Sequence, residues 1–399
     1  MAAVREVTAA RRTIMKLCFL IYHYFPYGGQ QRDFYRIAKE CLRKGHEIEV
    51  YALRWQGEQP EGFNVTLVPV TAVSRTRLYQ RYSDWVASQI ARSKPDLVIG
   101  FNKMPHLDVY FGADACFLNM ADTQRGSYYK YTPRFKHFSN YENAVFGADS
   151  KTHALVLSPQ QCDEYLQYYP ECESRLHKVP PGISEDRKRD SREPEVGASL
   201  RAELGLDAAD IVLLQVGSGF KIKGVDRALK AIASLPEHWR RRTRYLLVGQ
   251  GKPGRFLRLA RKLGIDEQVT VLPGRDDIPR FMQAADLLLH PAYKESAGYV
   301  LLEATISGLP VLTTASCGYA FHIEQAQSGE VCAEPFEQDE LNSRLLAMIE
   351  KLGTAAWSEN GIKYGEQPAL YALPQVAAET IEKLAIESGA HVKSVGSNQ

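Results

Sequence analysis

Two glutamates, Glu295 and Glu303, stand eight positions apart in YKESAGYVLLEA, just after the apolar run ADLLLHPA and its His-Pro break. A carboxylate pair first suggests hydrolysis of a glycosidic bond, which needs the two groups roughly 5 Å apart for retention or roughly 6.5–9.5 Å apart for inversion. On one helix this pair would be separated by about 12 Å along the axis, at about 1.5 Å per residue. Such spacing suits one extended ligand gripped at two places. Between the glutamates, Ser296, Ala297 and Gly298 make a small-residue turn whose N–H groups would point to a phosphate where a helix starts. Glu295 is then placed to accept from sugar hydroxyls and Glu303 from ribose hydroxyls, and the ligand implied is a nucleotide sugar.

Three further stretches carry residues suited to a diphosphate. In QVGSGFKIKGVDRAL, Gly217, Ser218 and Gly219 precede Lys221 and Lys223 at the start of a helical pattern, and backbone donors with ammonium charge fit a pyrophosphate. Solvated lysines are the plain alternative. VLPGRDDI puts Arg275 in a turn after a strand, either against a ligand or paired with Asp276 or Asp277. YFPYGGQQRD places Gly28 and Gly29 after the first strand, where main-chain N–H groups can approach an anion or where the glycines simply join strand to helix. Asp33, one turn on, either faces a ligand or opposes the helix dipole. Neither GxGxxG nor GxxxxGK[ST] is present, which removes the main support for a dinucleotide enzyme or a nucleoside triphosphatase.

The elements that must hold these residues alternate short apolar runs with amphipathic stretches, the pattern of a parallel sheet covered by helices on both faces. MKLCFLIY, HEIEVYAL, NVTLVPV, DLVIGF and THALVLS are the strands expected in the first half. After the charged stretch SEDRKRDSREPEVG the alternation restarts with DIVLLQVGS, RYLLVGQ, QVTVLPG, DLLLHPA, LPVLTTA and GEVCA. The expected organisation is a flexible extension over 1–14, a Rossmann-like domain over 15–182, a linker over 183–198 and a second Rossmann-like domain over 199–365. A helix over 366–386 would pack back on the first domain, ahead of a disordered tail over 387–399. Ligands of such sheets bind at the carboxyl ends of the strands, so the cleft between the domains is the place expected for the site.

A net charge of +2 over 399 residues argues against a nucleic-acid binder resting on a basic surface. Seven scattered cysteines without a CxxC pair suggest neither a disulfide framework nor a zinc site, and a reducing, cytoplasmic compartment is expected. No run approaches the length needed to cross a bilayer. TQRGSYYKYTPRFKHFSNY, by contrast, interleaves Arg125, Lys130, Arg134 and Lys136 with aromatic residues and contains no acidic residue. That composition suits the headgroup region of an anionic membrane; a core-packed helix is the plain alternative, and single-stranded nucleic acid is disfavoured.

The Glu, seven residues, Glu pattern at Glu295 and Glu303 resembles that of family 4 retaining glycosyltransferases of the GT-B fold, in which two Rossmann-like doubly wound domains face each other across a cleft. YHYFPYGGQQRDFYRIA, GFNKMPHLDVYF, PPGISEDRK, GSGFKIKGVDR, ADLLLHPAYKESAG and LPVLTTASCGYA are similar to the lipopolysaccharide core glucosyltransferase I subfamily over nearly the whole chain. The resemblance implies transfer of glucose from UDP-glucose to a heptose of the lipopolysaccharide inner core, with the α configuration retained. It implies that Asp33 contacts the sugar or phosphate, Lys223 and Arg275 the diphosphate, Glu295 the hexose and Glu303 the ribose, with Asp108 facing the acceptor. Two positions depart from the pattern. Ser218 stands where many members have arginine, and Ile222 stands where the subfamily's better-known form has arginine beside the lysine; Lys221 is placed to supply the missing charge. With no D-x-D triplet and no His/Cys cluster suited to a metal, no metal or other cofactor is expected. The acceptor lies in the membrane, so the chain is expected on the cytoplasmic face of the inner membrane. Galactose or an N-acetylhexosamine as donor sugar, and a nucleotide-sugar epimerase or phosphorylase, are the competing readings.

Overall fold

A two-residue strand, β1 (Thr13–Ile14), leads into β2 (Lys16–Tyr24), whose sequence KLCFLIYHY is apolar at nearly every position and buried at all but two. So continuous a run belongs in a sheet covered on both faces. The computed structural model, which describes residues 13–26, 28–188, 194–389 and 393–394, makes it an inner strand of a seven-stranded parallel sheet. The neighbours are β3 (Glu47–Trp55), β4 (Phe63–Leu67), β5 (Leu97–Gly100), β6 (Val109–Gly112), β7 (His153–Val156) and β8 (Leu176–Lys178). They lie in the order β4-β3-β2-β5-β6-β7-β8. The helix Gly29–Arg43 after β2 buries Phe34, Ile37, Ala38 and Cys41, the i, i+3, i+4, i+7 stripe that seats a helix on a sheet. This sheet belongs to a unit made of Met1–Val156, Cys162–Val179 and Leu373–Gln399.

The second unit, Leu157–Gln161 with Pro180–Ala372, holds six parallel strands. They are β9 (Ile211–Val216), β10 (Thr243–Val248), β11 (Val269–Leu272), β12 (Leu287–His290), β13 (Val311–Thr314) and β14 (Gly329–Cys332). Their order is β11-β10-β9-β12-β13-β14. From β9 the chain builds outward first through β10 and β11 and then, from β12, in the opposite direction. The loops leaving β9 and β12 therefore part to opposite faces at the carboxyl ends of neighbouring strands, the place where such sheets leave room for a ligand. In the first unit the corresponding pair is β2 and β5.

All six strands expected in the second unit form. In the first unit β6 and β8 are additions: VYFG and LHK are too short to stand out from their flanks. The expected linker is partly helical, since Pro194–Glu203 forms a helix and Glu185–Arg187 a single 3-10 turn; residues 189–193 lie outside the described residues. Leu373–Glu387 is one helix of the first unit, packed against Gly29–Arg43. Its Glu382 carboxylate meets Lys44 Nζ at 2.5 Å and His46 Nε2 at 2.7 Å. The expected flexible extension and disordered tail need correction where they are described. β1 pairs antiparallel with β15 (Lys393–Ser394). Residues 1–12, 390–392 and 395–399 lie outside the described residues.

Candidate active site

Lys223 and Glu295 are far apart in sequence, yet they sit on the loops that leave β9 and β12, and the sheet order makes those loops neighbours. The contact is close. Gly224 has φ 70°, and a Cβ there would lie 1.9 Å from the Pro291 carbonyl oxygen, so only glycine lets the two backbones meet. The Tyr293 N–H donates to the Ile222 carbonyl at 2.7 Å. Thus tied, Lys223 places its ammonium on Glu295 Oε1.

The Glu295 backbone is itself held on two sides, its N–H donating to the Ser316 carbonyl at 3.2 Å and its carbonyl accepting from the Gly318 N–H at 2.9 Å. Its second carboxylate oxygen, Oε2, lies 2.7 Å from Nε2 of His290, the last residue of β12 and fully buried. Burial alone would raise the Glu295 pKa. The charge of Lys223 and the contact with His290 outweigh it and hold the carboxyl well below the usual carboxylate range. The carboxylate is therefore ionised and has a partner on each oxygen.

Cys317 completes a cluster in which the ligand atoms of His290, Glu295 and Cys317 lie within 4.8 Å of one another. Spacings of five and twenty-two residues match no metal motif in the sequence. The donor set fits a cation poorly. Burial, and then the Glu295 charge, push the Cys317 thiol up to about 11, so it is a protonated thiol, and the ammonium of Lys223 already occupies the carboxylate.

The rest of the glycine-rich turn is open. Gly217 and Gly219 have φ of 147° and 76°, Ser218 is exposed with its Oγ accepting from the Gln250 N–H at 3.3 Å, and Lys221 is exposed. Ile222 is 46% exposed, an apolar side chain at the position of the family's second cation. Arg275 follows β11, and here the structure takes the intramolecular alternative. Its guanidinium grips Asp277 with two nitrogens, Nη2 to Oδ2 at 2.7 Å, and lies 4.7 Å from the Phe281 ring centroid. The Asp277 contact uses two of the five guanidinium N–H donors and leaves others for a phosphate.

Glu295 does not share a helix with Glu303. The helix spans Tyr299–Ile306 and is preceded by Gly298 at φ 100°, so the axial separation argued from a single helix does not apply. Ala297 is buried, its carbonyl accepting from the Tyr319 N–H at 2.7 Å, and Glu303 is buried at 8% exposure in the second turn.

In the first unit, Gly28 caps the helix Gly29–Arg43 with extended backbone. A Cβ on Gly28 would lie 1.9 Å from Gln31 Oε1, so that side chain would have to move, whereas one on Gly29 would meet nothing within 4 Å. Asp33 is buried at 4% exposure on this helix.

Asp108 is a correction. It precedes β6 at the amino edge of the sheet, where its Oδ2 accepts from the Val98 N–H at 2.8 Å. In register, Val98 aligns with Cys18, six residues short of Tyr24, so about 20 Å of strand at about 3.3 Å per residue separates it from the edge that carries Gly28. Its carboxylate ties the chain entering β6 to β5.

Asp114 stands at the opposite, carboxyl edge, two positions beyond β6. It is reachable by water yet ringed by protein, which raises its carboxyl, with Lys103 opposing and Glu142 adding to the shift. Lys103 is fixed by the buried Glu142 at 2.5 Å and by the Ala115 carbonyl at 2.7 Å. Recognising VYFG as a strand would have pointed to Asp114 in place of Asp108.

The basic aromatic segment is largely exposed. Ser127–Tyr131 forms a 3-10 turn with no buried residue, between the helices Phe117–Gln124 and Pro133–Phe146, and Tyr128 and Tyr131 are 82% and 83% exposed. Arg125 lies over Tyr129 and Arg134 over Phe138, at 5.5 and 5.1 Å from the ring centroids. Lys136 is exposed. Lys130 pairs at 2.7 Å with Asp122, just upstream of the segment, which reduces the charge expected from its composition. Among the described residues no helix is long and apolar enough to cross a membrane.

Two doubly wound parallel sheets, with a Lys–Glu pair set at the strand-order reversal of the second, define a glycosyltransferase of the GT-B type. Residues 27–187 match Glycosyltransferase Family 4 and residues 198–364 match Glycosyl transferases group 1. The chain is 43% identical to the lipopolysaccharide glucosyltransferase WaaG of Escherichia coli K12, over 92% of this chain and 98% of that protein. A crystal structure of WaaG superposes with a TM-score of 0.86, at 43% identity, over 92% of this chain and 99% of that one. A structure of HepE from Anabaena in complex with UDP and glucose shares the fold at a TM-score of 0.68 and 20% identity, over 92% of this chain and 100% of that one. The chain belongs to glycosyltransferase family 4.

Proposed function

We propose that this enzyme transfers glucose from UDP-glucose to a heptose of the lipopolysaccharide inner core with retention at the anomeric carbon. The observation that carries this reading is the ionised Glu295 held between Lys223 and His290. It supplies a hydrogen-bond acceptor for a sugar beside a cation for a diphosphate, in a chain 43% identical to WaaG over nearly all of its length. In this reading Glu303 accepts from the ribose, and Lys223, Lys221, Arg275 and the helix start at Gly298 meet phosphate charge. An acceptor hydroxyl attacks the anomeric carbon on the face the diphosphate leaves. The bond from that carbon to the phosphate oxygen breaks, a diphosphate oxygen takes the hydroxyl proton, and UDP departs. Asp114 takes the acceptor-side place first assigned to Asp108.

The experiment is UDP release with UDP-glucose, UDP-galactose and both N-acetylhexosamine donors, each with and without a heptose-terminated core acceptor. Acceptor-dependent release with UDP-glucose alone is expected. Conversion of one nucleotide sugar into another without acceptor would favour an epimerase, and phosphate-dependent sugar release a phosphorylase.

The reading extends to a metal-independent reaction at the cytoplasmic face of an anionic membrane. Full rate in excess EDTA is expected, and a loss restored by Mg²⁺ or Mn²⁺ would overturn metal independence. The exposed Tyr128 and Tyr131 beside Arg125, Lys130, Arg134 and Lys136 support membrane contact. Binding to anionic but not zwitterionic vesicles, lost when the four cations are neutralised, is expected; equal binding to both would count against it.

A further inference from the structure

We infer that His290 is a positioning residue for sugar transfer: by holding Glu295 Oε2 it leaves Oε1 as the single carboxylate oxygen open to exchange, held by Lys223 and taken by the donor's sugar hydroxyl when UDP-glucose binds. The inference rests on the reading of Glu295 as the residue that contacts the sugar.

Three features carry it. The His290 ring is fully buried at the carboxyl end of β12, with Nε2 2.7 Å from Glu295 Oε2. Its backbone is fixed as well: Leu289 pairs with Leu312 and His290 with Thr313, and the His290 carbonyl accepts from Thr313 Oγ1 and from the Ala292 N–H, both at 2.9 Å. The ring therefore cannot follow Glu295 if the carboxylate moves. Lastly, Nδ1 is buried without a partner. A buried N–H with no acceptor is costly, so the ring proton belongs on Nε2, where it is donated to Oε2, and Nδ1 stays bare. An N–H donor of this kind fixes Oε2 and leaves Oε1 to accept from the sugar hydroxyls.

The two oxygens of Glu295 thus have different duties. Oε2 is locked to a rigid strand end. Oε1 holds Lys223, whose side chain arrives on a flexible stem of methylenes from the adjacent loop and can turn toward a diphosphate. Donor binding then exchanges one contact for another: the ammonium moves toward phosphate and a sugar hydroxyl takes its place on Oε1. UDP alone offers the diphosphate without the sugar, so it has no use for a correctly aimed Oε1. This difference separates positioning from general structural support.

The test compares UDP-glucose turnover with UDP binding in the full-length enzyme carrying His290→Ala, His290→Gln and His290→Asn, alone and combined with Glu295→Gln. Expected are a drop of about 10- to 100-fold in kcat/KM for UDP-glucose with His290→Ala, an unchanged Kd for UDP, and partial recovery with His290→Gln, whose amide reaches as far as Nε2, but not with the shorter Asn. In the Glu295→Gln background, His290→Ala should cost little more, because it acts through Glu295. Unchanged turnover in His290→Ala, or a parallel loss of UDP binding, or the same fold-loss with and without Glu295→Gln would each overturn the inference. If His290→Ala does not fold, equal turnover in the Gln and Asn variants overturns it. Near-normal turnover in Glu295→Gln alone would instead overturn the sugar-contact reading, and the positioning role with it, whereas a deleterious Glu295→Gln beside a neutral His290→Ala overturns only the positioning role.

Discussion

The ammonium of Lys223 sits on Oε1 of Glu295, with the two side chains 17% and 18% exposed. Neither residue is stable in this setting by itself. Replacing Lys223 with Met leaves a largely desolvated carboxylate supported only by His290, so burial gains weight and the Glu295 pKa rises. Lys223→Met is expected to lower the melting temperature by a few degrees, consistent with about 1–3 kcal/mol for an orphaned, mostly buried partner. It should also move the acid limb of the kcat/KM profile for UDP-glucose to higher pH. Adding Glu295→Gln should recover part of the stability without recovering activity, which differential scanning fluorimetry and initial rates would show.

Gly224 touches the Pro291 carbonyl so closely that no side chain fits. Gly224→Ala must push the β9 and β12 loops apart and also hold alanine at φ 70°, so a loss of several kcal/mol is expected, of the order of about 3. Gly219→Ala is the control, with φ of 76° but open space around it, and should cost about 1 kcal/mol. Urea denaturation of both variants tests the difference.

His322 gives the second unit an acid-sensitive point. Burial lowers its pKa to about 4; Nδ1 lies 2.6 Å from the Tyr364 hydroxyl, and Nε2 is buried without a partner. The unfolded chain takes up this proton near pH 6.5 and the folded chain only near pH 4, so between those values the unfolded state binds more protons and stability falls as pH falls. The full effect is roughly 3 kcal/mol at about 1.4 kcal/mol per unit. His322→Gln should flatten the decline of melting temperature between pH 6.5 and 4.5 by about one proton's worth.

Glu382 joins the helix Leu373–Glu387 to Lys44 and His46. Burial opposes its charge, and the two hydrogen-bonded partners outweigh burial and lower its pKa. Glu382→Ala should free this helix by about 1–3 kcal/mol. Faster amide exchange over 373–387, with protection of β9 and β12 unchanged, is the expected result.

Asp108 and Asp114 offer a direct contrast. Asp108→Ala removes an acceptor for the Val98 N–H and should cost about 1–2 kcal/mol of stability while leaving acceptor-dependent turnover near normal. Asp114→Asn should do the reverse, lowering turnover with the core acceptor by about tenfold or more with little change in melting temperature.

The sequence by itself determined the elements that speak through continuous apolar runs: all six strands of the second sheet, the centre of the first, and the residue types that serve a nucleotide sugar. It determined the family as well, because the Glu295 and Glu303 pattern and the flanking motifs lie within contiguous stretches. Tertiary structure decided which of these residues meet. Lys223 reaches Glu295 because strand order reverses between β9 and β12, a relation between chain segments that no local pattern records. Arg275 meets Asp277 and not Asp276, a choice between neighbours that spacing left open. His290 read as the end of an apolar run, and its role beside Glu295 follows from the loop that folds back over β12. Asp108 was placed at the wrong edge because VYFG is too short to announce a strand. Once that strand exists, its direction puts Asp108 at the amino end and Asp114 at the carboxyl end, with nothing in either residue's chemistry to tell them apart.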